Sequence, residues 1–148
     1  VLGTMRARDR NYALAEDAFR RSLKREESPL VMNDLAWVLQ ERGVYGEAEK
    51  LARASIGLND KTVQPWDTLG VILMKTKRLG EAEQAFQKAM GVFDGDIVVA
   101  LHMAELYVMM KNRARAQELI RAVAAKSAQL PPDEQRKLES LRRSAEGM

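Results

Sequence analysis

The chain contains no cysteine, which removes disulfides, thiolate metal sites and a thiol nucleophile from its chemistry. A cysteine-free chain suits the cytosol and an oxidising envelope equally, so no compartment follows. Proline and glycine are scarce, at 4 and 9 of 148 residues, and aromatic residues make up only 5%. Histidine occurs once, as His102. A catalytic zinc normally takes three protein ligands, and with Glu105 one turn away His102 supplies half a site at best. A Ser/His/acid triad would depend on the same His102 and on a serine at a strand-to-helix elbow, and no strand is expected. No glycine-rich phosphate loop is present. These absences predict no enzymatic activity, no cofactor and no metal. No apolar run approaches the roughly 20 residues of a membrane span, and the N-terminus lacks the charged-then-apolar layout of a signal peptide, so direct membrane insertion is not expected.

What remains is dominated by Ala, Leu, Glu, Lys, Arg and Met, the strong helix formers, in a chain that is 46% hydrophobic and 30% charged. An all-α chain is expected. The formal net charge of +3 hides a gradient: seven basic against five acidic side chains over residues 1–28, eight against eleven over 29–110, and nine against five over 111–148. Nucleic-acid modules gather Lys and Arg on one face and add stacking aromatics. Here the basic residues alternate with Glu and Asp, so no nucleic-acid partner is expected.

The sequence repeats itself every 34 residues. Leu35, Ala36 and Leu39 recur as Leu69, Gly70 and Leu73, then as Met103, Ala104 and Tyr107; Ala48 recurs as Ala82 and Ala116. Shifted by 33 residues the same marks appear as Leu2, Gly3, Tyr12 and Ala15, and Phe19 stands where Phe86 stands in the best-formed copy. Val1 thus falls inside a repeat, and an upstream segment is expected. A fixed period of this length is the signature of a solenoid.

Within each copy the apolar residues fall at helical spacing in two blocks separated by a polar break, Trp66, Leu69, Gly70 and Leu73, then Ala82, Ala85, Phe86 and Ala89. The pattern predicts a helix, a tight turn and a second helix. Ser28 before Pro29, Thr62 shortly before Pro65, and Asp96 before Ile97 read as helix starts. Gly43, Gly46 and Gly80 read as turn glycines. Small residues at Ala36, Gly70, Ala48, Ala82 and Ala116 let paired helices approach, with Leu35, Leu69, Phe86 and Ile120 filling the space beside them.

Trp66-x2-Leu69-Gly70-x2-Leu73 followed by Ala82-x3-Phe86 and Ala89 resembles the tetratricopeptide repeat, whose period is also 34 residues. The resemblance extends over nearly the whole chain: a partial repeat at 1–28, repeats at 29–62 and 63–96, a weaker one at 97–130, and a C-terminal capping helix in 131–148, running from about Pro132 to Ser144. Departures are Met32 and Ala100 at the family's opening Trp-like position, and Asp60 and Asp94 at its late proline. The resemblance implies a right-handed α-solenoid of antiparallel helix pairs, of a type common in bacterial proteins, including envelope-associated ones. It implies no catalysis; it implies a scaffold that binds a peptide or partner helix against its first helices.

On those helices the inner lines at i, i+4, i+7 are Asn33, Trp37 and Gln40; Asp67, Val71 and Met74; and Leu101, Glu105 and Val108. Trp37 reads either as an interface residue, a large desolvating surface with one donor, or as packing near Val71. Asn33 reads as a partner for a peptide backbone or as a solvated amide, and Met74, Val108 and Met109 as an adaptable apolar wall or as packing. Trp66 reads as core. Some members grip a C-terminal carboxylate with inner Lys, Arg and Asn; Asp67 and Glu105 do not match that clamp, so an acidic tail is not the expected ligand. The alternative is a segment of a larger array that self-associates through the N-terminal half-repeat, whose packing face needs an upstream segment or a second molecule to cover it.

Overall fold

The structure, a computed structural model, describes the backbone of residues 2–148 and the side chains of residues 11–148. Leu2 and Gly3, two of the repeat marks, therefore have side-chain positions outside the described residues. The helices are α1 (Leu2–Arg25), α2 (Pro29–Glu41), α3 (Tyr45–Leu58), α4 (Val63–Lys75), α5 (Leu79–Val92), α6 (Ile97–Met109), α7 (Arg113–Ala124) and α8 (Pro132–Glu146), with a 3-10 turn at Ser127–Gln129. Among the described residues there is no strand.

Helix starts follow local chemistry. The Val31 N–H donates to Ser28 Oγ at 3.3 Å, with Pro29 opening α2. Asp96 Oδ1 accepts from Val98 and Val99 N–H at 3.0 and 3.1 Å, and Asn112 Oδ1 accepts from Arg115 N–H at 3.2 Å. Each satisfies donors that the first turn leaves free. Thr62 differs from expectation: its backbone is extended ahead of α4, but its hydroxyl makes no cap bond.

The turns inside the three pairs α2–α3, α4–α5 and α6–α7 are copies of one motif. The N–H groups of Gly43, Lys77 and Lys111 donate to the carbonyls of Gln40, Met74 and Val108 at 3.0, 3.1 and 3.0 Å. Those of Val44, Arg78 and Asn112 reach back to Leu39, Leu73 and Tyr107 at 2.8, 2.9 and 2.9 Å. This double closure needs a left-handed residue after the helix, and φ is +80°, +66° and +58° at residues 43, 77 and 111. Only the first is glycine. Gly46 and Gly80, expected at the turns, sit in the first turns of α3 and α5 with open space where a Cβ would go.

Packing is pairwise and then serial. α2 lies on α3, α4 on α5 and α6 on α7, while α3 meets α4 and α5 meets α6. In addition α2 touches α4 and α4 touches α6, whereas successive second helices approach each other less. A stack that is tighter along its first helices curves toward them, so α2, α4 and α6 line its concave side. The main core runs through the stack from Leu35 and Leu39 through Leu69, Ile72, Leu73 and Phe86 to Leu106 and Tyr107. Trp66, expected in the core, is half-buried against it, and its indole N–H donates to the Asp60 carbonyl at 2.9 Å.

A second cluster joins Leu101, Ile120 and Val123 of the last pair to Leu138, Leu141 and Ala145 of α8. α8 thus lies over both α6 and α7 and hides the apolar flank that a stack presents at its end. On the opposite face arginines are held by glutamates: Arg20 by Glu47 at 2.7 Å, Arg53 by Glu49 at 2.9 Å, and Arg78 by Glu49 and Glu81 at 2.7 and 2.6 Å.

Candidate functional site

The concave side holds a trough made of two adjoining cavities, of about 360 Å³ and about 440 Å³, that share Trp37, His102 and Glu134. The first reaches Asn33, Asp34 and Asp67; the second reaches Val71, Glu105 and Lys137. α2, α4 and α6 form its floor, and α8 contributes a wall through Glu134 and Lys137. The larger cavity of about 540 Å³ lies elsewhere, between α7 and the end of α8, walled by Ile120, Ala124 and Ala145 with Arg121 and Arg142. It sits on the flank of the stack, away from the first helices.

His102 organises the floor. It is 5% exposed, and its Nδ1 lies 2.8 Å from Asp67 Oδ1, joining α6 to α4. An ionised carboxylate only accepts, so Nδ1–H is the donor toward it. The ring also stands 6.3 Å from the Trp37 ring and 6.1 Å from Phe86, centroid to centroid. Buried polar groups require partners, and Asp67 is the one the chain supplies for His102. Glu105, one turn along α6, accepts from Lys137 Nζ of α8 at 3.1 Å. Among the described residues no three His, Cys, Asp or Glu side chains gather where they would hold a metal ion.

The expected inner lines divide. Asn33, Trp37 and Asp67 come together in the first cavity, and Trp37, Val71 and Glu105 in the second. Trp37 is half-buried: it packs on the main core and leaves the rest of its ring to the trough. Gln40, Val71, Met74 and Leu101, however, are 1%, 3%, 1% and 0% exposed, which corrects their reading as surface contacts. Adjacent first helices touch, and Gln40 and Met74 are buried within that stack, while α8 covers Leu101. Val71 still forms part of one cavity wall. Val108 is half-buried between the two core clusters. The expected apolar wall is therefore mostly core, since Met74 is buried and Met109 packs against the main cluster.

Sequence reasoning missed Asp34, Glu134 and Lys137. Asp34 lies one position outside the inner line, and the two residues of α8 belong to a helix read only as a cap. Burial pushes the Asp34 carboxyl above its ordinary range, because losing water disfavours the charged form. Asn33 Oδ1 and Gln40 Oε1 are buried acceptors with no donor among the described residues.

Two family models described as tetratricopeptide repeat match, over residues 30–59 and 73–138. No curated protein matches. A thermophilic TPR protein of Thermus thermophilus superposes with a TM-score of 0.81 at 19% identity, over 97% of this chain and 79% of that one. The type III secretion chaperone SycD of Yersinia enterocolitica, in complex with a peptide of the translocator YopD, gives 0.66 at 16% identity, over 78% and 88%. YrrB, a TPR protein with an unusual peptide-binding site, gives 0.65 at 19% identity, over 93% and 65%. With the period, the paired helices and the recurring turn, these matches make the chain a member of the tetratricopeptide repeat family.

Proposed function

We propose that the chain is a protein–protein interaction scaffold that holds a peptide or a partner helix in the concave trough, with no reaction of its own. The observation that carries this reading is Trp37, half-buried at the junction of two cavities, beside an amide oxygen, Asn33 Oδ1, that lacks a donor. A partly exposed tryptophan over a concave surface offers the large desolvating contact that dominates interfaces, and an extended peptide supplies N–H groups to an amide. Asn33, Trp37, Asp67 and Glu105 are the contacts assigned to it, with Asp34 and Glu134 added. The complex of SycD and the peptide-binding site of YrrB lend the fold a precedent for such a role. The arginines held by glutamates on the opposite face favour a protein partner over nucleic acid, and among the described residues no helix is long and apolar enough to cross a membrane.

The test is capture of a partner by the full-length protein, its identification by mass spectrometry, and measurement of the purified pair. Trp37→Ala is expected to keep the helical fold, at a lower melt because the ring packs on the core, and to weaken binding at least about tenfold, the loss that truncating an interface hot spot brings. Unchanged affinity would move the binding surface off the trough.

One observation favours a second reading, self-association through α1. Where Ala48, Ala82 and Ala116 are completely buried, the matching Ala15 is only partly covered, and Leu14 beside it is 63% exposed. Sedimentation at several concentrations tests this reading: a mass that stays monomeric throughout removes it.

A further inference from the structure

The cavity of about 360 Å³ beside Trp37 is short of positive charge. Asp34, Asp67 and Glu134 line it, and among the described residues no lysine or arginine does. Asp67 is answered by His102 at 2.8 Å. Among the described residues Asp34 and Glu134 have no ion pair or hydrogen bond, and burial alone holds the Asp34 carboxyl above its ordinary range. With them stands Asn33 Oδ1, a buried acceptor with no donor among the described residues, on a side chain only 6% exposed. Two carboxylates and this amide oxygen thus line the space as acceptors with no partner among the described residues, alongside the Gln64 amide and the Trp37 indole N–H. Beside them stands the Trp37 ring, whose face attracts cations through its quadrupole.

The deficit is local. In the adjoining cavity Lys75 and Lys137 accompany the carboxylates, and Lys137 already holds Glu105 at 3.1 Å. The whole chain carries a formal charge of +3, so long-range attraction by itself favours an anionic ligand. A ligand that satisfies this cavity must bring positive charge, several N–H donors and a flat surface to one point.

Resting on the reading of the trough as a protein-binding groove, we propose that this cavity receives an arginine side chain of the bound segment. Its guanidinium pairs with Asp34 and Glu134 and lies against Trp37, and a turn of the Asn33 side chain lets it donate to Oδ1, which is fully covered in the unbound chain. Arginine fits better than lysine because its planar fork presents five donors, stacks on aromatic faces and is more weakly hydrated than an ammonium. Because Asp34 belongs to α2 and Glu134 to α8, the bound arginine also ties the closing helix across the trough.

The test uses labelled peptides of alanine, serine and glycine that carry arginine, glutamine or glutamate at the same places, titrated with the full chain at about 0.15 M salt, where exposed charges beyond a Debye length are screened. The arginine peptide is expected to bind about tenfold more tightly than the glutamine one, and the glutamate peptide least, as a desolvated cation over an indole implies. The double variant Asp34→Asn with Glu134→Gln removes no bond made among the described residues, so its melt should be retained while the preference disappears. Equal or tighter binding of the glutamine or glutamate peptide, lost in Trp37→Ala, would overturn the arginine assignment and leave the groove standing. An arginine preference that survives both the double variant and Trp37→Ala would place the cation elsewhere and overturn it too. Failure of all three peptides also overturns it, and the groove is then judged on the captured partner alone.

Discussion

The pairs α2–α3 and α4–α5 solve one packing problem in two ways. Where the helices of the first pair approach, Ala36 and Ala52 are both completely buried. One period on stand Gly70 and Phe86, and a Cβ added at Gly70 would lie 2.4 Å from Phe86 Cε1. The third pair has Ala104 and Ile120 there, at 0% and 4% exposure. The second and third pairs thus fill a similar combined volume with different residues while the first brings two small ones together, each contact close-packed in its own way. The turns show the complementary behaviour: Gly43, Lys77 and Lys111 adopt one backbone conformation with three matching pairs of hydrogen bonds. Backbone geometry recurs more strictly than side-chain identity.

The sharpest way to break that equivalence is to remove the ring. Phe86→Ala is expected to cost about 3–5 kcal/mol, as large aromatic truncations in a core do, while Ala52→Gly at the matching place in α3 costs only about 1 kcal/mol of helix propensity. Urea unfolding of both variants measures the gap. Gly70→Ala should then change sign with its neighbour. With Phe86 present, overpacking costs about 1–3 kcal/mol, because a fully buried ring has nowhere to move. In the Phe86→Ala background the added methyl fills vacated space and gains helix propensity, so the same substitution stabilises. Identical effects in both backgrounds would show that the two residues do not share one volume.

A smaller effect sharpens the comparison of turns. A left-handed conformation costs an L-residue about 1–2 kcal/mol, part of which glycine returns through its floppier unfolded chain. Lys77→Gly should therefore stabilise by about 0.5–1 kcal/mol, and Gly43→Lys should lose a similar amount. Thermal melts that move the other way would mean that the Lys77 side chain contributes something its backbone conformation hides.

Period, pairing and the small residues at helix contacts were legible in the sequence because they are local and repeated: Gly70 opposite Phe86 is visible as a spacing. The trough was legible only in part. Trp37, which lies off the core-facing set, does line it, but four of the nine inner-line residues, Gln40, Val71, Met74 and Leu101, are buried, since helical spacing says which side a residue faces and not whether another helix already covers that side. Gln40 and Met74 vanish between neighbours for that reason. Asp67 with His102, and Glu134 beside Trp37, join residues a period or more apart through the stacking of helices. Nothing in their own segments marks them as partners. Gly46 and Gly80 misled because glycine near a turn is a weaker signal than the conformation, which Lys77 and Lys111 adopt as well.

The smallest expected effect separates the two faces by pH. On the outer face, hydrogen bonding to the Arg20 guanidinium holds the Glu47 carboxyl below its ordinary value of 4.5. On the concave face, loss of water holds Asp34 above its ordinary value of 3.8. For Glu47 the folded state favours the ionised form, so its contribution is present above pH 4.5 and fades as pH falls through the lower folded value. For Asp34 the folded state favours the protonated form. The penalty is absent below pH 3.8 and complete once pH has risen past the folded value. Glu47→Gln should thus lower the melting temperature at neutral pH and Asp34→Asn should raise it, both by small amounts because these groups are largely solvated. In strong acid, below both folded values, each variant should melt with the parent chain. An Asp34→Asn variant that melts lower than the parent at neutral pH would mean that the carboxylate has a partner within the folded chain, and the concave face would then hold one acceptor fewer for a ligand to satisfy.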